Sequence, residues 1–351
     1  MKINKRIEIV SSTQSGVSSM ARKPREAIRA VLAEHYSRVE ITIVNDAADL
    51  AALVDRRPDL VFLGMKMVLE DQSLGLKDPA KIWLGEYLDE HNIAYTGSNH
   101  LAHELEINKA AAKQCALAAG LITSPFYIVD KNQHTNVVDS PLAYPVFIKP
   151  TCRGGGQGID SQSVAYDFAQ LKSKVRSLAT DWDADSLIEQ YLPGREFSVA
   201  ILKDDVSATM SVMPIELIAP LDKRGVRLLS KEVKSANTER SIEVTDGMVR
   251  DMVCDLAINA FHALGARDYG RIDIRLDEYG VPHFLEANLM PSLKRSDGNY
   301  FPRACALNRN LSYERMILNI VRLGLARSQT TDEVSAKQAA ELLFNSFEPA
   351  F

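Results

Sequence analysis

Two short runs constrain the fold more than any other feature: Arg271-Ile272-Asp273-Ile274-Arg275-Leu276 and His283-Phe284-Leu285-Glu286-Ala287-Asn288. Each alternates in character, and the intervening Asp277-Glu278-Tyr279-Gly280 reads as a turn, so the two form an antiparallel hairpin. Ile272, Ile274 and Leu276 share one face and need a core behind them. Arg271, Asp273 and Arg275 share the other face, and Glu286 and Asn288 point the same way. A two-residue turn at Tyr279-Gly280 sets Asp273 directly opposite Glu286; a four-residue turn shifts the pairing by one step and keeps them close. Two carboxylates and an amide suit Mg²⁺, which takes few protein ligands besides substrate phosphates. Glu286 between two ions would form a clamp with the metals about 3.5–4 Å apart. Taken alone, the same face is equally well read as a solvated one, with Arg271 and Arg275 as salt-bridge partners.

A second feature is Gly154-Gly155-Gly156-Gln157-Gly158, which follows a strand ending in Lys149-Pro150. Glycines let backbone approach a ligand, and successive amide groups cradle phosphate oxygens. By itself the run reads as a flexible turn. It lies between two strands, and no Gly-Lys pair exists in the chain, so it is no Walker A loop. Lys149 at the strand end would aim a cation at the same phosphates. The third feature, Glu189-Gln190-Tyr191-Leu192-Pro193-Gly194-Arg195-Glu196, runs from a strand into a turn with carboxylates at both ends. Main-chain groups of such a linker can read an adenine, and a carboxylate can read a ribose hydroxyl.

The first hundred residues alternate between strand and helix periods. Strands are expected at 7–10, 39–44, 60–63 and 93–95, and helices at 24–36, after an Asp46 cap, and at 82–88. This predicts a parallel α/β sheet, Rossmann-like in pattern. No G-x-G-x-x-G follows the first strand, which argues against a dinucleotide oxidoreductase. One long helix is expected from about residue 102 to 119, with a boundary near Ser124-Pro125. The remainder reads as α+β: strands at 144–149, 159–164, 186–190, 197–202 and 210–217, a helix from Phe168, another at 249–264, then the hairpin. The tail from Ser328 is polar and then helical around residues 336–347.

Lys and Arg total 41 against 46 Asp and Glu, a net charge of −5. Nothing in that balance favours nucleic-acid binding. No apolar run approaches the roughly 18 residues of a membrane span. Cys115, Cys152, Cys254 and Cys305 are widely spaced and read as reduced thiols of a cytoplasmic protein. His100 and His103 lack a third ligand and read as surface residues.

Together these motifs resemble the ATP-grasp fold and, within it, the D-alanine–D-alanine ligases. The resembling stretches are residues 144–150 with the glycine loop, 187–200, and 270–273 with 284–288, and the similarity spans roughly residues 5–325. The resemblance implies an ATP-grasp fold behind an N-terminal pre-ATP-grasp α/β domain, divided as 1–105, 106–192 and 193–351. It implies an ADP-forming ligase: ATP phosphorylates a carboxylate, and an amine attacks the acyl phosphate. Carried over by position, Lys109 and Lys149 would bind ATP phosphates and Gly155 and Gly156 would cover them. Glu189 and Leu192 would meet adenine, and Glu196 the ribose. Asp273, Glu286 and Asn288 would hold two Mg²⁺ (or Mn²⁺) ions. Arg271 would stabilise the acyl phosphate and oxyanion. Lys231, 40 residues before Arg271, falls where a mobile loop places a phosphate-binding lysine, and Ser292 replaces the glycine of the family's Pro-Gly. The implied partners are small carboxylate and amine substrates and a second copy in a homodimer.

The departures concern substrate. The family's first loop carries a glutamate for the first D-alanine's ammonium; here Thr13-Gln14-Ser15-Gly16-Val17-Ser18 has no acid. The family's histidine before Glu70-Asp71 is missing. The hydroxyl for the second substrate's carboxylate would fall near Ser296 or Asp297. Losing a charge-assisted bond to the ammonium removes about 1.5–3 kcal/mol, roughly 10- to 150-fold in binding. The expectation is therefore a ligase for a substrate other than D-alanine. The alternatives are a D-alanine–D-alanine ligase that makes these contacts differently and a nucleotide-binding regulator without turnover.

Overall fold

The computed structural model describes residues 1–14, 20–75, 78–295 and 299–327. The expected tail helix and the candidates Ser296 and Asp297 lie outside the described residues. The chain forms two compact units: residues 1–97 with 203–209 and the segment from 314, and residues 98–202 with 210–313.

The first unit runs β1 (Ile3–Ser11), α1 (Arg22–His35), β2 (Tyr36–Ile43), α2 (Ala47–Asp55), β3 (Leu60–Leu63), β4 (Met67–Val68), β5 (Ile82–Trp83) and α3 (Leu84–Glu90). Its main sheet is parallel in the order β2-β1-β3. Ile7, Ile9 and Val10 of the central strand are fully buried, as are Ile28 and Leu32 of α1. Asp46 caps α2, its side chain accepting from Asp49 N–H. The expected strand at 93–95 reduces to a single bridge between Val61 and Tyr95, and the expected helix at 82–88 begins two residues later, after β5.

The second unit contains α4 (His100–Ile107), α5 (Lys109–Ala118), β6 (Phe126–Val129), β7 (Val146–Pro150), β8 (Val164–Ala165), α6 (Phe168–Trp182), β9 (Ser186–Gln190), β10 (Glu196–Lys203), β11 (Met210–Ile218), α7 (Lys231–Ala236), β12 (Arg240–Glu243), α8 (Gly247–Ala263), β13 (Tyr269–Leu276), β14 (Pro282–Asn288) and α9 (Tyr300–Arg309). A four-stranded sheet, β6-β9-β7-β8, carries α6 on one face through Leu171, Val175 and Leu178. A five-stranded sheet, β12-β11-β10-β13-β14, buries Ile272, Ile274 and Phe284 against α5 and α8. Among the described residues no helix is long and apolar enough to cross a membrane.

The single helix expected over 102–119 is two helices. Asn108 leaves the helical region at φ −96° and ψ 93°, and its side chain accepts from Ala111 N–H at 3.1 Å, starting α5 anew. An Asn side chain competes for backbone donors and so favours helix starts over interiors. The break sets the direction of α5 and with it Lys109 and Lys113. His103 is a correction too: it is buried, with Nδ1 2.8 Å from Glu106 Oε2, and is no surface histidine. The strand expected over 159–164 is confined to β8, after a 3₁₀ turn at Ser161–Ser163. Asn108→Ala is expected to lower stability by about 0.5–2 kcal/mol, read from the denaturant midpoint of the purified protein.

Candidate active site

The hairpin is where backbone geometry decides the chemistry. Asp273 pairs with Glu286 and Arg271 with Asn288, but Ile274 pairs with Phe284. Leu285 is thus the extra residue of a β-bulge. Leu276 pairs with Pro282, so the turn is longer than either length considered from sequence, and the bulge restores the Asp273–Glu286 pairing. Bulges re-aim side chains: here Leu285 and Glu286 both line a cleft while Phe284 is fully buried in the core.

That cleft, about 740 Å³, lies within the second unit. Lys149, Glu189, Leu192, Glu196, Asp273 and Glu286 all line it. Arg271 grips Asp273 with Nε and Nη2, both at 2.9 Å, and its guanidinium lies 5.2 Å from the Tyr300 ring centre. Asn288 Nδ2 donates to Asp273 Oδ2 at 3.1 Å. Lys109 Nζ is 3.5 Å from Glu286 Oε2 and also donates to the Arg153 carbonyl. Gly156, at φ +77°, packs against the 229–231 backbone: a Cβ there would sit 3.0 Å from Lys231 N. Gly155 has φ +65° and open space around its Cα.

Seven candidates are not among the residues lining the cleft: Lys109, Arg271 and Asn288 contact its carboxylates, Gly155 and Gly156 belong to the glycine loop, and Lys231 and Ser292 stand apart. Lys231 is exposed at the start of α7, and Lys234, one turn later, is the lysine that lines the cleft. Ser292 is half-buried beyond β14 and does not line it. In the first unit, Gln14 Nε2 donates to the Asn45 carbonyl and Thr13 N–H to Asn45 Oδ1, while Asp71 accepts from Ser73. Residues 15–18 of the first loop lie outside the described residues.

Glu189 is the electrostatic centre. Lys113 Nζ approaches Oε1 at 2.6 Å and Lys149 Nζ approaches Oε2 at 2.7 Å, with all three side chains nearly solvent-free. Burial alone would raise the Glu189 carboxyl, but the two ammoniums hold it at about 2. Burial pulls Lys113 down; for Lys149, Glu189 and Glu286 outweigh burial and raise it. Glu286 is likewise held at about 2 against burial by Lys109, Lys149, Lys234 and Arg271. Burial pushes Glu196 up, although Arg275 lies 3.0 Å away.

Sequence reasoning passed over Lys113, Lys234, Ser198 and Tyr300, and read Arg275 only as a salt-bridge partner on the polar face, where it pairs with Glu196. Lys113 was the most accessible of these, since it lies one turn after Lys109 on the same helix. Ser198, whose hydroxyl donates to Asp273 Oδ1 at 2.7 Å, follows only from the pairing of β10 with β13.

Residues 117–322, more than half of the chain, match the family described as D-ala D-ala ligase C-terminus. The chain belongs to that family. A D-alanine–D-alanine ligase of Pelobacter propionicus is 26% identical over 296 residues, covering 80% of this chain and 90% of its own length. An uncharacterized protein, y4sG, of Sinorhizobium fredii is 28% identical over 237 residues, 67% of each chain. The crystal structure of D-alanine–D-alanine ligase from Bacillus anthracis complexed with ATP superposes with a TM-score of 0.69 at 18% identity, over 94% of this chain and 100% of that one. The fold is therefore ATP-grasp, and this member of an ADP-forming ligase family is an enzyme of the D-alanine–D-alanine ligase type.

Glu189→Gln would leave two buried ammoniums without their carboxylate. A loss of about 3–5 kcal/mol is expected, measured by denaturant unfolding. A carboxyl held at about 2, below its ordinary 4.5, adds stability that is complete above pH 4.5 and drains away as pH falls toward 2. The variant should therefore show a shallower acid dependence than the parent across that window.

Proposed function

We propose that the chain is an ATP-dependent, ADP-forming carboxylate–amine ligase whose substrates differ from D-alanine. The observation that carries the reading is the convergence of Lys149, Glu189, Glu196, Asp273 and Glu286 on one cleft, with Arg271 and Lys109 at its edge. Phosphoryl transfer needs positioning and charge neutralisation more than covalent chemistry from the protein. Lys149 and Lys109 would neutralise ATP phosphates, with Lys234 as a third cation facing the same space. Glu189 holds Lys149 in place. Its two oxygens are already committed to lysines, so it would face adenine only through the wall it forms. Leu192 and Glu196 would meet the nucleoside. Gly155 and Gly156 would cover the phosphates, and Lys231, joined to Gly156 by close backbone packing, would move with that cover. Arg271 would stabilise charge on the acyl phosphate, and Ser292 would stand at the substrate end.

The donor set at the hairpin suits a hard divalent cation. Asp273 and Glu286 are register partners on one face, Asn288 follows two residues on, and Glu286 is held ionised. Among the described residues no three Asp, Glu, His or Cys gather into a metal-binding group. Two carboxylates and an amide fit an ion that takes its other ligands from phosphate and water. Asp273, Glu286 and Asn288 would hold Mg²⁺ (or Mn²⁺), two ions in the reading proposed here, and Arg271 would release Asp273 to allow it. When bound, the ions supply neutralisation of phosphate charge.

The departure from D-alanine rests on the first loop, where Thr13 and Gln14 bring no acid for an ammonium. We also read the protein as a cytoplasmic homodimer with subdomains meeting near residue 192, on family likeness; sedimentation tests the dimer. The decisive test is ADP release with ATP, Mg²⁺ and single amino acids. Mg²⁺-dependent turnover with a substrate other than D-alanine is expected, and robust turnover with D-alanine alone would overturn the substrate assignment. Asp273→Asn, which keeps the Ser198 hydrogen bond, should weaken Mg²⁺-ATP binding about tenfold or more, measured by calorimetry against an EDTA control.

A further inference from the structure

Beside the reaction cleft opens a second pocket of about 810 Å³, bounded by Asn237, Glu239, Arg240, Ser241, Tyr300 and Arg303. Tyr300 is the shared wall, since it also lines the cleft that contains Asp273 and Glu286. Its ring faces Arg271, and its hydroxyl donates to Glu239 Oε1 at 2.7 Å. The other oxygen, Glu239 Oε2, is shielded from solvent and has no hydrogen-bond partner among the described residues. A buried acceptor without a donor is unfavourable and calls for a ligand N–H. Arg240 on β12 and Arg303 on α9 line the same pocket, and neither guanidinium has a side-chain partner among the described residues. One carboxylate and two guanidiniums leave the pocket with a net charge of about +1.

We infer that this pocket holds an amino-acid substrate bearing a second carboxylate, of the aspartate or glutamate class. The ammonium meets Glu239 Oε2, which gives it the partner that the first loop lacks. Each carboxylate meets a guanidinium, whose planar fork matches it. A ligand with one ammonium and two carboxylates carries −1 and complements the pocket's charge, whereas alanine, with no net charge, leaves one arginine unmatched. The inference rests on the ligase reading for its consequence, but the binding it describes does not depend on turnover.

The test is calorimetry on the full chain with D- and L-glutamate, D- and L-aspartate and D- and L-alanine, each with and without Mg²⁺ and a non-hydrolysable ATP analogue. An acidic amino acid is expected to bind about tenfold or more tightly than alanine of the same hand. Arg303→Met should erase that preference, Arg303→Lys should retain part of it, and Glu239→Gln should weaken the acidic ligand while sparing the Tyr300 hydrogen bond. Circular dichroism checks that each variant folds. Alanine binding as tightly as the acids, no acid binding at all, or a preference that survives Arg303→Met in a folded protein would overturn the inference. The analogue's own binding, read in the same titrations, tests the ligase reading separately: its absence would remove that reading whatever the amino acids do.

Discussion

The buried Lys113–Glu189–Lys149 cluster is the interaction on which the second unit depends. It joins α5, β9 and β7 through one carboxylate. Lys113 also donates to Thr123 Oγ1 at 2.5 Å and Ser124 Oγ at 3.1 Å, while Thr123 Oγ1 donates to the Phe284 carbonyl at 2.7 Å. The four-stranded sheet is thereby tied to the hairpin of the five-stranded sheet by charge and hydrogen bonds. Isolated, any of these charges would be costly to bury; the geometry is tolerable because each has its complement. Two ammoniums around one carboxylate leave the cluster with a net positive charge, and Lys149 and Glu189 present it to the cleft.

Around that cluster the cleft is a balance of charges held close but unequal. Glu286 faces four cations and stays ionised, Asp273 is gripped by Arg271, and Glu196 is pushed up by burial near two other carboxylates. Gly156 and Gly194 mark two places where backbone passes close to backbone in this unit. A Cβ on Gly194 would lie 2.5 Å from the Leu276 carbonyl, where the chain entering β10 passes the end of β13.

Much of the site was legible in sequence because alternation along a strand assigns faces without further help. Asp273, Glu286 and Asn288 were readable as one face, and Lys149 and Glu189 as strand-end charges. The Asp273–Glu286 pairing depends on more than the turn: Ile274 pairs with Phe284, and the bulge at Leu285 corrects the register. A bulge depends on how Phe284 fits the core, which no local pattern reports. The helix break at Asn108 was missed because its neighbours continue the apolar period, and only the side chain's capture of Ala111 N–H reveals the stop.

By itself, the sequence determined the periodic elements, the faces of the hairpin, the glycines beside Lys149, and the family to which their order points. These are properties of short stretches, governed by backbone period and side-chain type. Tertiary structure decided which charges meet: that Glu189 serves Lys113 and Lys149, that Lys234 and not Lys231 lines the cleft, and that Glu239, Arg240 and Arg303 share a pocket with Tyr300. Such encounters join residues tens of positions apart, and ionic energies depend on distance and burial, quantities that exist only once the chain has packed.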